Sequence, residues 1–237
     1  MGQIVTDNFN RANAGTLGSK WVQIDTSLAC WNGISSNQAQ NAQSTHDGWT
    51  AFTDASWTPG STGDQYAECQ VTAISAGNGG GGPAVRCVVG NATGYSIYYV
   101  ELISIGSSAT HNIAKYVSGG AFTSIATWTG TVQSTDVVRI EAQGTTIRAK
   151  VNGTQVASVT DNSIAAGFPG LVLEQSGHVG DTTADNWAAG DFSSPIDWLL
   201  PDRGRLPTHY VPTILPVNGR AQVGWRRAAS RLYLRAA

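Results

Sequence analysis

Between about residue 20 and residue 192 apolar and polar side chains alternate in short runs separated by Gly, Asn, Ser and Thr, without a helical 3.6-residue period. In Gln65–Ile74, Tyr66, Glu68, Gln70 and Thr72 alternate with Ala67, Cys69, Val71 and Ala73. Further strands are expected at Ala84–Val89, Tyr95–Ile103, His111–Val117 and Phe122–Trp128. On the third of these, Tyr95 and Tyr99 face one way and Tyr98 the other. The clearest segment is Val137 to Val159: Val138, Ile140 and Ala142 share a phase, and Ile147, Ala149 and Val151 resume it after Gly144. Asn152-Gly153 suits a type I′ turn, so a three-strand antiparallel meander is predicted. About twelve short strands without helices imply an all-β fold, a two-sheet antiparallel sandwich or jelly roll. Gly77–Gly82 is read as a loop, without the Gly-Lys-Ser/Thr ending that would cradle a phosphate.

The alternation stops after Phe192, and the charge changes sign there. Residues 1–192 hold seven Lys/Arg against fourteen Asp/Glu, whereas 193–237 hold seven Arg against two acids. Five of the eight prolines fall in this second stretch and hold it extended. The chain thus divides into a domain at 1–192 and a basic, proline-stiffened arm at 193–237. For residues 221–237 the pattern fits either a helix (Trp225, Ala228, Ala229, Leu232 on one face) or a strand (Leu232, Leu234 against Arg231, Tyr233, Arg235).

Composition adds the setting. Charged residues make up 13% of the chain and Lys is scarce, so amides, hydroxyls and glycine carry solubility, as in β-sandwiches that work outside cells. Cys30, Cys69 and Cys87 show no metal-ligand spacing; Cys69 is expected as a buried thiol, and one disulfide with one free cysteine is the alternative. No apolar run reaches the length of a membrane span, and no signal peptide is expected ahead of a fold that starts within a few residues of Met1, unless a leader has been removed. A virion released by lysis is one extracellular setting that needs none.

Asp7-Asn8-Phe9-Asn10-Arg11-Ala12, Gly15-Thr16-Leu17-Gly18 and Trp21 resemble the opening of the concanavalin A-like lectin/glucanase superfamily, in particular the laminin-G-like jelly rolls of bacterial and bacteriophage proteins. Val151-Asn152-Gly153, the Asp161–Gly170 connection, Asp185-Asn186-Trp187 and Gly190-Asp191-Phe192 match its far end, so the likeness covers roughly residues 3–192. It implies a first strand lying beside the last, with Phe9, Trp21, Trp187 and Phe192 closing the sandwich, and a carbohydrate-recognition heritage. The arm has no counterpart in it.

Catalytic members of that superfamily carry Glu-x-Asp-x-x-Glu on one strand, whereas Glu68, Glu101, Glu141 and Glu174 here are isolated, each on a different strand. Glycoside hydrolysis needs a pair of carboxyl groups, and no nucleophile elbow accompanies the histidines. The sequence reading is therefore that the chain is not an enzyme. Asp181 and Asp185, with Asp191 and Asp7 nearby, are candidate ligands for a calcium ion, as in some relatives; no other cofactor is expected. Trp49, Trp57, Tyr95 and Trp128 are candidates for stacking on sugar rings, against burial in the core or rim as the commoner fate of an aromatic. In the arm, Trp198, Arg203, Arg205, Tyr210, Arg220, Trp225, Arg226, Arg227 and Arg231 combine apolar groups with bidentate cations. Docking onto another copy or onto capsid or tail proteins is expected, ahead of fold-back onto the acidic domain and of nucleic-acid binding. The reading as a whole is a non-catalytic structural, decoration or adhesion protein of a bacteriophage-like particle that displays a lectin-like jelly roll, with a cell-surface glycan as a candidate partner. The alternative is a secreted carbohydrate-binding module or, less favoured, a glycoside hydrolase.

Overall fold

A computed structural model describes residues 4–55, 57, 63–75, 80–192, 210–217 and 220–227. The first strands are short: β1 (Ile4–Asp7), β2 (Trp21–Gln23), β3 (Asn32–Ser35), β4 (Gln38–Asn41) and β5 (Gly48–Phe52). Longer ones follow as β6 (Gln65–Ile74), β7 (Gly81–Val88), β8 (Ser96–Glu101), β9 (Ser108–Tyr116) and β10 (Thr123–Thr131). The domain ends with β11 (Val138–Gln143), β12 (Thr146–Val151), β13 (Thr154–Thr160), β14 (Phe168–Leu173) and β15 (Thr182–Asp191). Two strands of the arm, β16 (Tyr210–Val217) and β17 (Arg220–Arg227), form a separate antiparallel hairpin. Among the described residues no helix is long and apolar enough to cross a membrane.

The domain is an antiparallel sandwich. One sheet runs β13-β12-β11-β6-β15-β4-β3, with β1 also pairing with β15; the other runs β10-β9-β8-β7-β14-β5-β2. The expected meander is present, and positive φ at Asn152 (50°) and Gly153 (82°) gives the predicted hairpin turn. The first strand lies beside the last, Asp7 opposite Trp187. Phe9, Trp21 and Trp187 then close the space between the sheets, with Trp21 and Trp187 ring centres 4.7 Å apart. Phe192 packs instead on Tyr66, 5.5 Å between centres.

Two expectations change. The glycine run is not simply a loop, because Gly81 and Gly82 open β7 and pair with Leu173 and Val172. A Cβ on Gly81 would lie 2.3 Å from the Val172 carbonyl oxygen, so glycine is what lets the strands approach. The helical alternative for the arm also fails over Arg220–Arg227, which is strand. Residues 228–237 lie outside the described residues.

The two sheets differ on their outer faces. On the eight-stranded sheet, Val138, Ile140 and Ala142 point into the core while Arg139 and Glu141 point out, the usual alternation of a half-solvated antiparallel sheet. On the seven-stranded sheet, β5, β7, β8 and β14 are buried along nearly their whole length, so its outer face is apolar as well, with half-buried Tyr116 and exposed Phe122 at its surface. Tyr98, Val100 and Leu171 belong to the core between the sheets, whereas Trp49, Tyr95, Ile97, Tyr99 and Val172 form a second apolar cluster outside it. All three cysteines are free and buried; Cys69 lies in the first cluster and Cys30 and Cys87 in the second. Burial pushes the Cys30 thiol up to about 12, so it stays protonated and behaves as a small apolar group.

Candidate functional site

The second cluster brings together groups far apart in sequence. Alternation along β8 sends Tyr99 and Glu101 to the outer face, and β5 sends Trp49 to the same side. The Trp49 indole leans on Tyr116 (4.7 Å between ring centres) and on Tyr95 (5.4 Å). Tyr116 in turn stacks on Tyr99 at 6.3 Å and meets the edge of Phe122, which is 41% exposed, at 6.1 Å. Trp49 is only 7% exposed, and its Nε1 has no hydrogen-bond partner among the described residues. A buried donor without a partner costs about 1–3 kcal/mol, so something must offset it.

Three carboxyl groups accompany these rings. Glu174 follows the end of β14, is 8% exposed, and accepts a hydrogen bond from the Tyr99 hydroxyl at 2.9 Å. Glu101 ends β8 and accepts one from Asn112 Nδ2, while Asn112 Oδ1 accepts the Ser124 hydroxyl at 2.9 Å. Asp47, immediately before β5, accepts the Gln175 N–H at 3.1 Å. Between the two glutamates runs the side-chain-free backbone of Gly80. A Cβ there would stand 3.0 Å from Glu174 Oε2 and 3.4 Å from Glu101 Cγ, so both side chains converge on one point.

Electrostatics sets this trio apart. Burial, and then the charges of Glu101 and Asp47, push the Glu174 carboxyl up to about 8, with the Tyr99 hydroxyl pulling weakly the other way. Burial also raises Glu101, opposed by the Asn112 hydrogen bond and reinforced by Asp47, and it raises Asp47 against the Gln175 N–H. None of the three makes an ion pair among the described residues. The other two glutamates do the opposite. Arg139 bridges Glu68 at 2.5 Å and Glu141 at 3.5 Å, Lys150 reaches Glu141 at 2.9 Å, and the Arg139 guanidinium lies 4.1 Å from the centre of the Tyr66 ring. That pair is a neutralised surface network. The glutamates are thus not isolated, since strand pairing gathers them two by two.

The residues singled out from sequence separate. Trp49 and Tyr95 meet on the outer face; Trp57 is buried in the core between the sheets, and Trp128 sits half-buried beside His111, 5.1 Å between rings. Asp181 is buried and its Oδ2 accepts the N–H groups of Ser176 (2.7 Å) and His178 (2.8 Å), which hold it below the usual carboxylate range even though burial opposes them. Asp185 accepts the N–H of Asn186 at 2.7 Å. Asp7 is bound by Arg11 at 2.6 Å and by Trp21 Nε1 at 2.9 Å. Among the described residues no group of three or more His, Cys, Asp or Glu side chains is placed to hold a metal ion. In the arm, Tyr210 lies opposite Arg227, Val211 opposite Arg226, Pro212 opposite Trp225 and Val217 opposite Arg220; Trp198, Arg203, Arg205 and Arg231 lie outside the described residues. Sequence reasoning set Glu101 and Glu174 aside as isolated, read His46-Asp47 as loop hydrogen bonding ahead of a site fragment, and did not single out Tyr116 or Phe122. The shared phase of Tyr95, Tyr99 and Glu101 was its one available signal.

No protein-family model matches the chain, and no curated protein matches it by sequence. Solved structures do match its shape. The carbohydrate-binding module CBM66 from Bacillus subtilis is 17% identical over 71% of this chain and 92% of its own, with a TM-score of 0.48. A β-1,3-1,4-glucanase (lichenase) derived from a mouse hindgut metagenome is 12% identical over 79% and 98%, with a TM-score of 0.49. The κ-carrageenase from Pseudoalteromonas carrageenovora is 11% identical over 80% and 96%, with a TM-score of 0.44.

These findings correct the expectation that the chain is not an enzyme. Its premise, four isolated glutamates, fails in the fold, where Arg139 joins Glu68 with Glu141 and the Gly80 backbone lies between Glu101 and Glu174. The fold expected from the two ends of the sequence is present: an all-β sandwich of two antiparallel sheets with the first strand beside the last.

Proposed function

We propose that the domain is a carbohydrate-directed module whose site is the outer face of the seven-stranded sheet. The observation that carries this reading is the convergence of Glu101 and Glu174 on bare Gly80 backbone beside the Trp49, Tyr99, Tyr116 and Phe122 rings. Aromatic faces stack on the apolar side of a sugar ring, while carboxylates and the Asn112 amide take its hydroxyls. The proton of Glu174 favours a second, compatible reading, action on the glycosidic bond. A carboxyl that titrates near 8 is a proton donor at neutral pH, and Glu101, across the Gly80 backbone, is the second carboxyl that such chemistry requires.

A panel of soluble polysaccharides tests both, with binding followed by calorimetry and bond cleavage by release of reducing ends. Phe122→Ala removes an exposed ring and is expected to weaken binding about tenfold, near 1.4 kcal/mol, without unfolding the domain. Glu174→Gln is expected to keep binding and abolish any cleavage. Failure of every polysaccharide to bind would overturn the proposal.

For the arm we favour docking onto a second copy or onto a larger extracellular assembly such as a bacteriophage-like particle. Support comes from the sign change in charge after residue 192 and from the hairpin register. That register sets Tyr210 opposite Arg227, Pro212 opposite Trp225 and Ile214 opposite Val223. A two-stranded ribbon is marginal in water by itself, so a partner surface would stabilise it.

A further inference from the structure

We propose that His111 is an acid-sensitive latch: proton uptake by its ring frees the edge strand β10 and the 102–107 loop from the sandwich. The latch is independent of the proposed glycan site. His111 lies on β9 and is fully buried, and each of its nitrogens meets a backbone group of a different segment. The Ile103 N–H points at Nδ1 at 3.1 Å, and the Gly130 carbonyl oxygen lies 3.2 Å from Nε2. A backbone N–H can only donate and a carbonyl can only accept, so the ring is neutral with its hydrogen on Nε2. A second proton has to go on Nδ1, where it would face the Ile103 N–H donor to donor, out of water. Burial, against the weaker pull of the Gly130 carbonyl, accordingly holds the ring below the ordinary histidine range.

What the ring holds is the end of a sheet. β10 is the edge strand of the seven-stranded sheet and pairs on one side only, with β9. The 102–107 loop is tied to the end of β10 by the Gly106 N–H, which donates to the Val132 carbonyl at 2.8 Å. Among the described residues no neighbour offers a countercharge. Residues 102–110, β10, and β13, against which β10 packs, contain no Asp, Glu, Lys, Arg, Tyr, Cys or further His. The titratable groups around these segments are engaged elsewhere: Glu101 with Asn112, Tyr98 and Lys115 with Asp161, and Asp136 with the Gln133 N–H and Asn152. The Trp128 ring, 5.1 Å from the imidazole, attracts a cation through its face yet offers no lone pair to a new N–H. Once loop and strand swing away and the ring meets water, it takes up its proton at about pH 6.5. The open form therefore binds the proton at a higher pH than the closed one. Its population rises about tenfold for each unit below that value, until the closed ring titrates as well.

Hydrogen exchange of the full chain tests the latch, read by mass spectrometry at pH 7 and pH 5 and corrected for the intrinsic pH dependence of exchange. Protection of 102–107 and 123–131 is expected to fall about tenfold or more beyond any fall in the β11–β13 meander. That excess should vanish in His111→Asn and His111→Gln, whose side chains stay neutral. Should both variants fail to fold, NMR titration of the parent's His111 ring decides, with ring protonation and loss of the Ile103 amide's protection expected at the same pH. An equal fall in the meander, intact protection of the two segments, or the same excess in a folded variant overturns the latch. So does a ring that takes up its proton while the Ile103 amide stays protected.

Discussion

Glu174 shows how little of a residue's chemistry belongs to the residue. In sequence it is an acid after a run of apolar side chains; in the fold it is buried under Tyr99, faces Glu101 and Asp47, and keeps its proton up to about pH 8. Below its unfolded value both states hold that proton. Between that value and about 8 the folded chain holds it while the unfolded chain has released it, so stability falls as pH rises, at on the order of 1.4 kcal/mol per unit for one group. Above about 8 the slope disappears. Glu174→Gln keeps the acceptor for the Tyr99 hydroxyl and removes the titration. Thermal unfolding between pH 5 and 8.5 should therefore be flatter in the variant, with a higher melting temperature than the parent at pH 8.

At the scale of elements, alternation and turn chemistry were legible where each strand has one wet face. The meander β11 to β13 was readable because Val138, Ile140, Ala142, Ile147 and Ala149 keep one phase and Asn152-Gly153 tolerates positive φ. Strands buried on both faces gave a weaker signal: β5 and β14 show no alternation to read, and β7 begins in glycines that look like a loop. Those glycines make a firm prediction. At Gly81, φ is +119° and a Cβ would meet the Val172 carbonyl oxygen at 2.3 Å. Gly81→Ala should cost about 2 kcal/mol or more in urea unfolding, with the loss appearing in the midpoint rather than the slope.

At the scale of the molecule the chain separates into two units, Met1–Trp198 and Leu199–Ala237, each with its own internal contacts. Every strand of the sandwich and both of its apolar clusters end by Phe192. A chain stopped at residue 192 should therefore keep the melting temperature of the domain and the glycan binding proposed for it, while losing the self-association or particle attachment proposed for the arm. Analytical ultracentrifugation of both forms checks this: an unfolded truncated form would contradict the two-unit division, and equal assembly by both would contradict the docking role. What the sequence determined by itself was local: strand phase, turn positions, and the aromatic ends that close the sandwich. These depend on backbone periodicity and on side-chain types within a few residues. The tertiary structure decided which strands are neighbours, and with that the site. Carboxylates from residues 47, 101 and 174 share one patch only because β5, β14, β7 and β8 lie side by side, a pairing fixed by packing of the whole core and carried by no short stretch of chain.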